Sequence, residues 1–245
     1  MISDMRTRMN PLFFVYQWLV VFPIMVVITI IVALSTTFLS PLLPNSKLAY
    51  HPAKIWARLC CYLNFVHVKI SGLDKLNPRQ SYVFALNHQS IFDIFVVYGW
   101  LQFIFKWMIK AELRKVPLIG KACESAGHIF INRSNAIAAK HSLDNAKAQL
   151  KNGVSLVVFP EGTRTKTGKM GVFKRGAFRV ATDLSLPIVP VTIRGSFDRL
   201  HPNSLQIIPG TIELIIHEPI DVAPFLPDHA AELIQKTWHE INSSL

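Results

Sequence analysis

From Pro11 to Ser46 the chain carries no charged side chain at all, and Phe13 to Leu43 is dominated by Phe, Val, Ile and Leu. A helix of about 20 such residues is enough to cross a bilayer. The run is too long for the apolar core of a secretory signal, and no small-residue cleavage site ends it. It therefore predicts a retained membrane anchor and divides the chain into two parts. Pro23 and the cluster Ser35-Thr36-Thr37 leave two forms open, one tilted or kinked span and a shallow re-entrant hairpin. Arg6 and Arg8 stand against Asp4 before the run, and Lys47, Lys54 and Arg58 follow it. The heavier positive flank on the C-terminal side predicts that the rest of the chain faces the cytoplasm. Lys47 to Leu63 reads as an amphipathic helix. Ile55-Trp56, Leu59-Cys60 and Leu63 share one face opposite Lys54 and Arg58, a face suited to the membrane surface or to packing on the domain. The expected organisation is an anchoring segment over residues 1–63 and a globular domain over 64–245.

Beyond residue 63, short apolar runs alternate with helical patterns. Phe65–Ile70, Tyr82–Leu86, Phe103–Ile109, Gly127–Arg133, Val154–Phe159, Ile188–Ile193 and Thr211–Ile216 read as strands. Helices are expected over Ile91–Leu101, from Ser134 to about Leu150, over Phe173–Leu184 and over Pro227–Leu245. His67 reads as an ordinary strand residue. This alternation predicts an α/β fold, a sheet flanked by helices.

Within that fold, Ser81 to Asp93, S-Y-V-F-A-L-N-H-Q-S-I-F-D, is the densest stretch. Its apolar half suits a strand buried on both faces. Asn87-His88-Gln89 breaks the strand, and Ser90-Ile91-Phe92-Asp93 has the form of a capping box ahead of a new apolar run. A loop that runs into a helix start can bring two side chains five residues apart together, although a continuous helix of 3.6 residues per turn would not. The Asp93 carboxylate could then orient the His88 imidazole and leave its other nitrogen basic, the logic of a general base with a supporting acid. A bare turn and a helix-capping acid would produce the same letters, so the assignment needs support from elsewhere in the chain.

The net charge of +11 is local: Lys106 to Arg175 holds 14 basic and 4 acidic residues, a net of +10. Such a region implies an anionic partner. Cys60, Cys61 and Cys123 provide neither a disulfide framework nor metal-ligand spacing, so a reducing compartment and no metal are expected. G-x-S-x-G, H-E-x-x-H, C-x-x-C and G-x-G-x-x-G are all absent. Gly162 to Met170 imitates a phosphate loop but has one residue too many, and Met170 stands where a hydroxyl would be needed. The anchor, and the lack of any recognised binding motif, speak against nucleic acid.

What recurs is a polar or charged group where an apolar strand ends: His88, Lys110, Arg133, Glu161 with Arg164, and Arg194. In open α/β sheets ligands bind outside the carboxyl ends of the strands. A base among several cations suits an acceptor that carries both a hydroxyl and a phosphate, which arginine recognises bidentately. An ionised Glu161 in this company could position Arg164 or bind an acceptor hydroxyl.

Four blocks resemble those of the glycerolipid acyltransferase family, in that family's order and over about Asn87 to Val191. They are N-H-Q-S-I-F-D, G-H-I-F-I-N-R ending at Arg133, F-P-E-G-T-R-T over Phe159–Thr165, and L-P-I-V-P-V over Leu186–Val191. K-A-E-L-R-K-V-P-L-I-G resembles a further block between the first two. His128 stands at a position that varies in the family and receives no role. The resemblance implies that His88 deprotonates an acceptor hydroxyl while Asp93 orients its ring. It implies that the hydroxyl attacks acyl-CoA or acyl carrier protein directly, and that Arg133, Glu161, Gly162 and Arg164 form the acceptor-phosphate site, with Lys110 a secondary candidate. Lys166, Lys169, Lys174 and Arg175 suit donor phosphates, anionic head groups or plain solvent. The expected protein is a 1-acylglycerol-3-phosphate acyltransferase of the cytoplasmic membrane without a bound cofactor. Its expected partners are lysophosphatidic acid, the thioester donor and membrane lipid. Acylation of another lysophospholipid or lipid acceptor, and non-catalytic binding of anionic lipid, are the alternatives.

Overall fold

The computed structural model describes residues 11–132, 142, 144, 149–225 and 230–245. The uncharged run forms one helix, α1 (Pro11–Leu42), rather than a re-entrant hairpin. Pro23 does not break it. The turn before the proline widens to π geometry over Gln17–Val21, where the Phe22 N–H donates to the Gln17 carbonyl. A π turn absorbs the clash and the lost donor that proline imposes on a helix. The polar cluster is settled internally: Ser35 Oγ donates to the Ile31 carbonyl and Thr37 Oγ1 to the Ala33 carbonyl, each at 2.8 Å. Helix α2 (Lys47–Leu63) follows, capped by Ser46 Oγ, which accepts the Ala49 N–H at 3.1 Å.

Among the described residues seven strands form a single sheet: β1 (Val66–Ser71), β2 (Val83–Leu86), β3 (Ile104–Lys110), β4 (Ile129–Ile131), β5 (Val154–Val158), β6 (Ile188–Arg194) and β7 (Gly210–Ile216). Their order is β1-β7-β6-β2-β5-β3-β4. The run from β6 through β2, β5 and β3 to β4 is parallel, while β7 is antiparallel to β6 and β1 parallel to β7. The central strand β2 is buried on both sides, as its unbroken apolar sequence requires. Phe84 and Leu86 enter one core with α2 and α3 (Phe92–Trp100), and Val83 and Ala85 enter a second with α5 (Gly176–Asp183) and the C-terminal helix α7 (Ala230–Asn242). Two further short helices are α4 (Ile119–Ser125) and α6 (Ser196–Arg199), and 3-10 turns lie at Leu73–Lys75, Ala111–Lys115 and Ala223–Phe225. The strand boundaries lie within a few residues of expectation. The helix expected from Ser134 to about Leu150 falls largely outside the described residues.

The face expected for α2 needs correction. Ala49, Ala57, Cys60 and Cys61 are buried, whereas Ile55 is exposed. Arg58 does not face solvent opposite them. Its Nε donates at 2.9 Å to the Gly99 carbonyl at the end of α3. Ala57 and Gly99 let the two helices approach closely: a methyl group added at Gly99 would stand 3.2 Å from Arg58 Cγ. Trp56 and Cys60 of the expected face do dock, Trp56 edge-on to Phe95 and Tyr98 of α3, while the small residues Ala57 and Gly99 set the close approach. This helix packs on the domain, and α1 in turn packs on α2 and α4. Trp56 Nε1 donates to Thr29 Oγ1 at 2.9 Å, Tyr16 Oη to the Leu63 carbonyl at 3.1 Å, and Gln17 Nε2 to the Ile207 carbonyl at 2.9 Å. Helix α1 is thus held to the rest of the chain along much of its length.

Candidate active site

The parallel strands bring His88, Lys110, Glu161 and Arg164 to one edge of the sheet, at the ends of β2, β3 and β5. Asn87 makes the first turn there. Its side chain continues the ladder where the backbone leaves it: Oδ1 accepts the Ile193 N–H at 2.7 Å and Nδ2 donates to the Ile193 carbonyl at 2.8 Å. A buried amide is tolerated only when paired in this way.

His88 Nδ1 lies 2.8 Å from Asp93 Oδ2. A carboxylate only accepts, so Nδ1 carries the proton and Nε2 is left as the basic nitrogen. The same Oδ2 accepts the backbone N–H groups of Gln89 at 2.7 Å and Ser90 at 2.8 Å. Asp93 therefore caps the start of α3 and orients the imidazole with one fully buried oxygen, so the two readings of this residue merge. The ring is also held from its face. It stacks on Phe159 with centroids 3.8 Å apart and planes 8° from parallel, and Phe159 stacks on Trp107.

Glu161 supports the loop from beneath. Its Oε1 accepts the His88 backbone N–H at 2.8 Å and its Oε2 accepts the Gly171 N–H at 2.7 Å. Burial pushes this carboxyl above the usual range, while the two N–H donors and the neighbouring His88 ring pull it down and Asp93 adds to the rise. Both oxygens point to a scaffolding part that joins the base to the 168–171 loop. Gly162 has φ of +79° and donates to the Phe159 carbonyl at 3.0 Å. That left-handed turn, open to glycine at little cost, folds the chain back so that the Thr165 N–H reaches the His88 carbonyl at 2.9 Å.

A cavity of about 650 Å³ adjoins His88. His88, Phe159, Gly162, Arg164 and Lys110 line one part of it, and apolar side chains of α3 and α4 and the α1 residues Thr29, Val32, Ala33 and Thr36 line the rest. Lys110 also pairs with Glu112 at 3.1 Å. His128 forms part of the wall: its Nδ1 accepts the Trp107 N–H at 3.2 Å and its Nε2 lies 2.6 Å from Tyr98 Oη. Burial, aided by the Lys106 charge, pushes it down to about 3, so it is neutral. Arg194 does not join the group; it is bonded to Glu213 on β7 and to the Ser244 carbonyl. Arg133 lies outside the described residues. Lys166, Lys169, Lys174 and Arg175 are exposed. Among the described residues no cluster of His, Cys, Asp and Glu could hold a metal.

Asn87, Phe159 and Trp107 were not expected as site residues. An amide directly after a wholly apolar strand was the available signal for the first. The aromatic support looked like core in the sequence.

An oriented imidazole, cations and an apolar cavity at one strand edge can deprotonate a hydroxyl beside a hydrocarbon chain and an anionic group. Residues 67–194 match the model of a protein family described as Acyltransferase. The chain is 35% identical, over 71% of its length and 49% of the relative's, to the chloroplastic 1-acyl-sn-glycerol-3-phosphate acyltransferase of Arabidopsis thaliana. It is 32% identical to the human 1-acyl-sn-glycerol-3-phosphate acyltransferase alpha, over 74% of this chain and 64% of that one. The chain thus spans between about half and two thirds of the length of these curated relatives. The crystal structure of the 1-acyl-sn-glycerophosphate acyltransferase of Thermotoga maritima superposes with a TM-score of 0.76 at 25% identity, covering 98% of this chain and 96% of that one.

Proposed function

The chain belongs to the Acyltransferase family, and on that premise we propose that it acylates the free hydroxyl of 1-acylglycerol 3-phosphate at a membrane, giving phosphatidic acid. The donor is a thioester, acyl-CoA or acyl carrier protein. His88 Nε2 takes the hydroxyl proton as the oxygen attacks the thioester carbonyl, and Asp93 stabilises the imidazolium that forms. Collapse of the tetrahedral intermediate expels the thiolate, which leaves with the proton held by His88. No acyl-enzyme is formed and no cofactor is bound.

The observation that carries this reading is the His88–Asp93 pair at 2.8 Å in the wall of the cavity. The stack on Phe159 and the Glu161 bond to the His88 backbone hold the base before substrate arrives, and such pre-positioning lowers the barrier. The cavity's apolar part accommodates an acyl chain. Arg164, with Arg133 and Lys110, recognises the acceptor phosphate, and Gly162 shapes the turn that presents Arg164. Helix α1 holds the enzyme at the membrane, with the domain on the cytoplasmic face.

The test is an acceptor panel with one radiolabelled acyl-CoA: lysophosphatidic acid, glycerol 3-phosphate, lysophosphatidylcholine, lysophosphatidylglycerol and monoacylglycerol. Lysophosphatidic acid should be preferred. Preference for monoacylglycerol, which lacks phosphate, would refute the phosphate site. Preference for a substituted phosphate would move the acceptor to another lysophospholipid. Binding to anionic vesicles without turnover of any acceptor would remove the enzymatic reading.

A further inference from the structure

A second, open groove of about 530 Å³ runs along α1 and does not include His88 in its walls. On the helix side stand Trp18, Phe22, Val26 and Ile30, one stripe at the four-residue spacing that shares a helix face. All four are exposed. Facing them across the groove are Leu118 and Ile119 from the loop into α4, and Leu205 from the loop before β7. These too are exposed, Leu118 at 44% and Leu205 at 74%. The loop carries Leu113 and Val116 exposed as well. Monomeric soluble surfaces rarely present a contiguous apolar patch of this kind without a partner.

The geometry points to an anionic lipid leaflet as the occupant: the loop Leu113–Ile119 and Leu205 are immersed in it together with α1, forming a second membrane contact. Three observations support that occupant. First, α1 cannot enter a membrane without its neighbours. Its contacts with the domain run from Tyr16 and Gln17 to Trp56's partner Thr29 and on to Thr36 in the cavity wall, a length of about 30 Å at 1.5 Å per residue. Whatever depth the exposed stripe takes, the side chains across the groove share it. Second, the patch is bordered by cations. Lys110, Arg114, Lys115 and Lys121 outnumber Glu112 and Glu124 between positions 110 and 124. Lys110, Arg114 and Lys121 make ion pairs of 3.1–3.8 Å with these acids while remaining more than half exposed. Partly exposed cations interspersed along the same segment as these apolar side chains complement anionic head groups over hydrocarbon. Third, Leu113 and Ile119 also line the cavity that holds His88. The immersed loop thus places the wall of the catalytic cavity against the leaflet, where a lipid acceptor and its product reside.

This inference rests on the anchoring role of α1 and not on acyl transfer, and the experiment separates the two. Full-length protein in a Cys123→Ser background, with Cys60 and Cys61 buried, receives one bimane label through Leu118→Cys, Val27→Cys or Lys151→Cys. Val27 is an exposed anchor residue and Lys151 is exposed before β5, at the opposite edge of the sheet from His88. Each protein is bound to vesicles of phosphatidylcholine and phosphatidylglycerol with a doxyl group high on the acyl chain. The expected result is a blue shift and loss of emission at Leu118 that matches the loss at Val27, persists in 1 M salt, and is absent at Lys151. Quenching at Val27 with Leu118 no more quenched than Lys151 would overturn the second contact and leave the anchor standing. Absence of quenching at both Val27 and Leu118 would overturn both. Quenching at Leu118 that salt abolishes would show head-group attraction without immersion and would also overturn the inference, because at 1 M the screening length is about 3 Å.

Discussion

The strand-end loop that holds His88 and the helix α1 beside it have opposite makeup. In the loop, polar groups lie buried and nearly every one is tied: Asn87 to Ile193, Asp93 to three donors, Glu161 to two. In α1, apolar groups lie exposed, with only a narrow strip held by Tyr16, Gln17 and Thr29. The first region is held almost wholly by groups of the chain itself, as the base proposed at His88 requires. The second leaves a large apolar area that the chain itself does not cover. The contrast separates geometry held by hydrogen bonds, local at Asp93 and long-range at Asn87 and Glu161, from apolar area left unburied.

The sharpest way to break this comparison is to empty the loop of its base. His88→Ala should lower turnover about 10²- to 10⁴-fold while circular dichroism and the unfolding midpoint change little, since Asp93 keeps the Gln89 and Ser90 donors. Turnover within a few-fold of the parent in folded protein would show that the loop is not built around a base. Glu161→Ala comes next. It orphans the His88 and Gly171 N–H groups, each at a cost of roughly 1–3 kcal/mol if left unpaired. Chemical denaturation should register the loss, and kcat should fall with it; a stable variant with unchanged kcat would mean the support is dispensable.

Arg164→Ala should raise KM for lysophosphatidic acid about ten- to a hundred-fold, from charge-assisted contacts of roughly 1.5–3 kcal/mol. KM for the donor should move less, and Arg164→Lys should restore only part of the loss because the fork is gone. An equal change in both KM values would detach Arg164 from the acceptor. His128 gives a pH signature. Its folded value of about 3 lies below the ordinary 6.5, so the neutral form is favoured by folding. The stability this gives is full above about pH 6.5 and is lost as pH falls toward 3. Its imidazole resonances should not titrate near neutrality; a midpoint near 6.5 would contradict the buried neutral ring.

The smallest effect is expected in α1. Tyr16→Phe removes one bond to the Leu63 carbonyl and should cost about 0.5–1.5 kcal/mol, read as a small drop in midpoint with turnover intact. A large loss of turnover would mean that docking of the anchor shapes the base as well, and the division between the two regions would weaken.

Much was legible before any coordinates. The uncharged run named a long apolar helix, the buried β2 sequence named a central strand, and the Ser90–Asp93 spacing named a helix start with His88 on the turn before it. These signals are local: charge absence, period and capping chemistry act within a few residues. The sequence also suggested that polar strand ends converge, and His88, Lys110 and Arg164 do line one cavity, whereas Glu161 is turned to the His88 and Gly171 N–H groups. Arg194 looked the same on paper, yet Glu213 on a strand of opposite direction takes it away. Its outcome depended on the position of β7, which no nearby residue specifies.

Sequence alone thus determined most of the described elements, the long apolar helix and the pairing of His88 with Asp93 at a strand end. Tertiary structure decided what holds them. Asn87 meets Ile193 across 106 positions, Glu161 meets the His88 backbone across 73, and Gln17 meets Ile207 across 190. A single side chain in such a pair carries no periodic signal, and its partner is fixed only when strand order and register are fixed. Likewise the close approach of α2 to α3 is set by the small residues Ala57 and Gly99. Local physics writes the elements into neighbouring residues; the site is assembled by contacts that exist only once the sheet has formed.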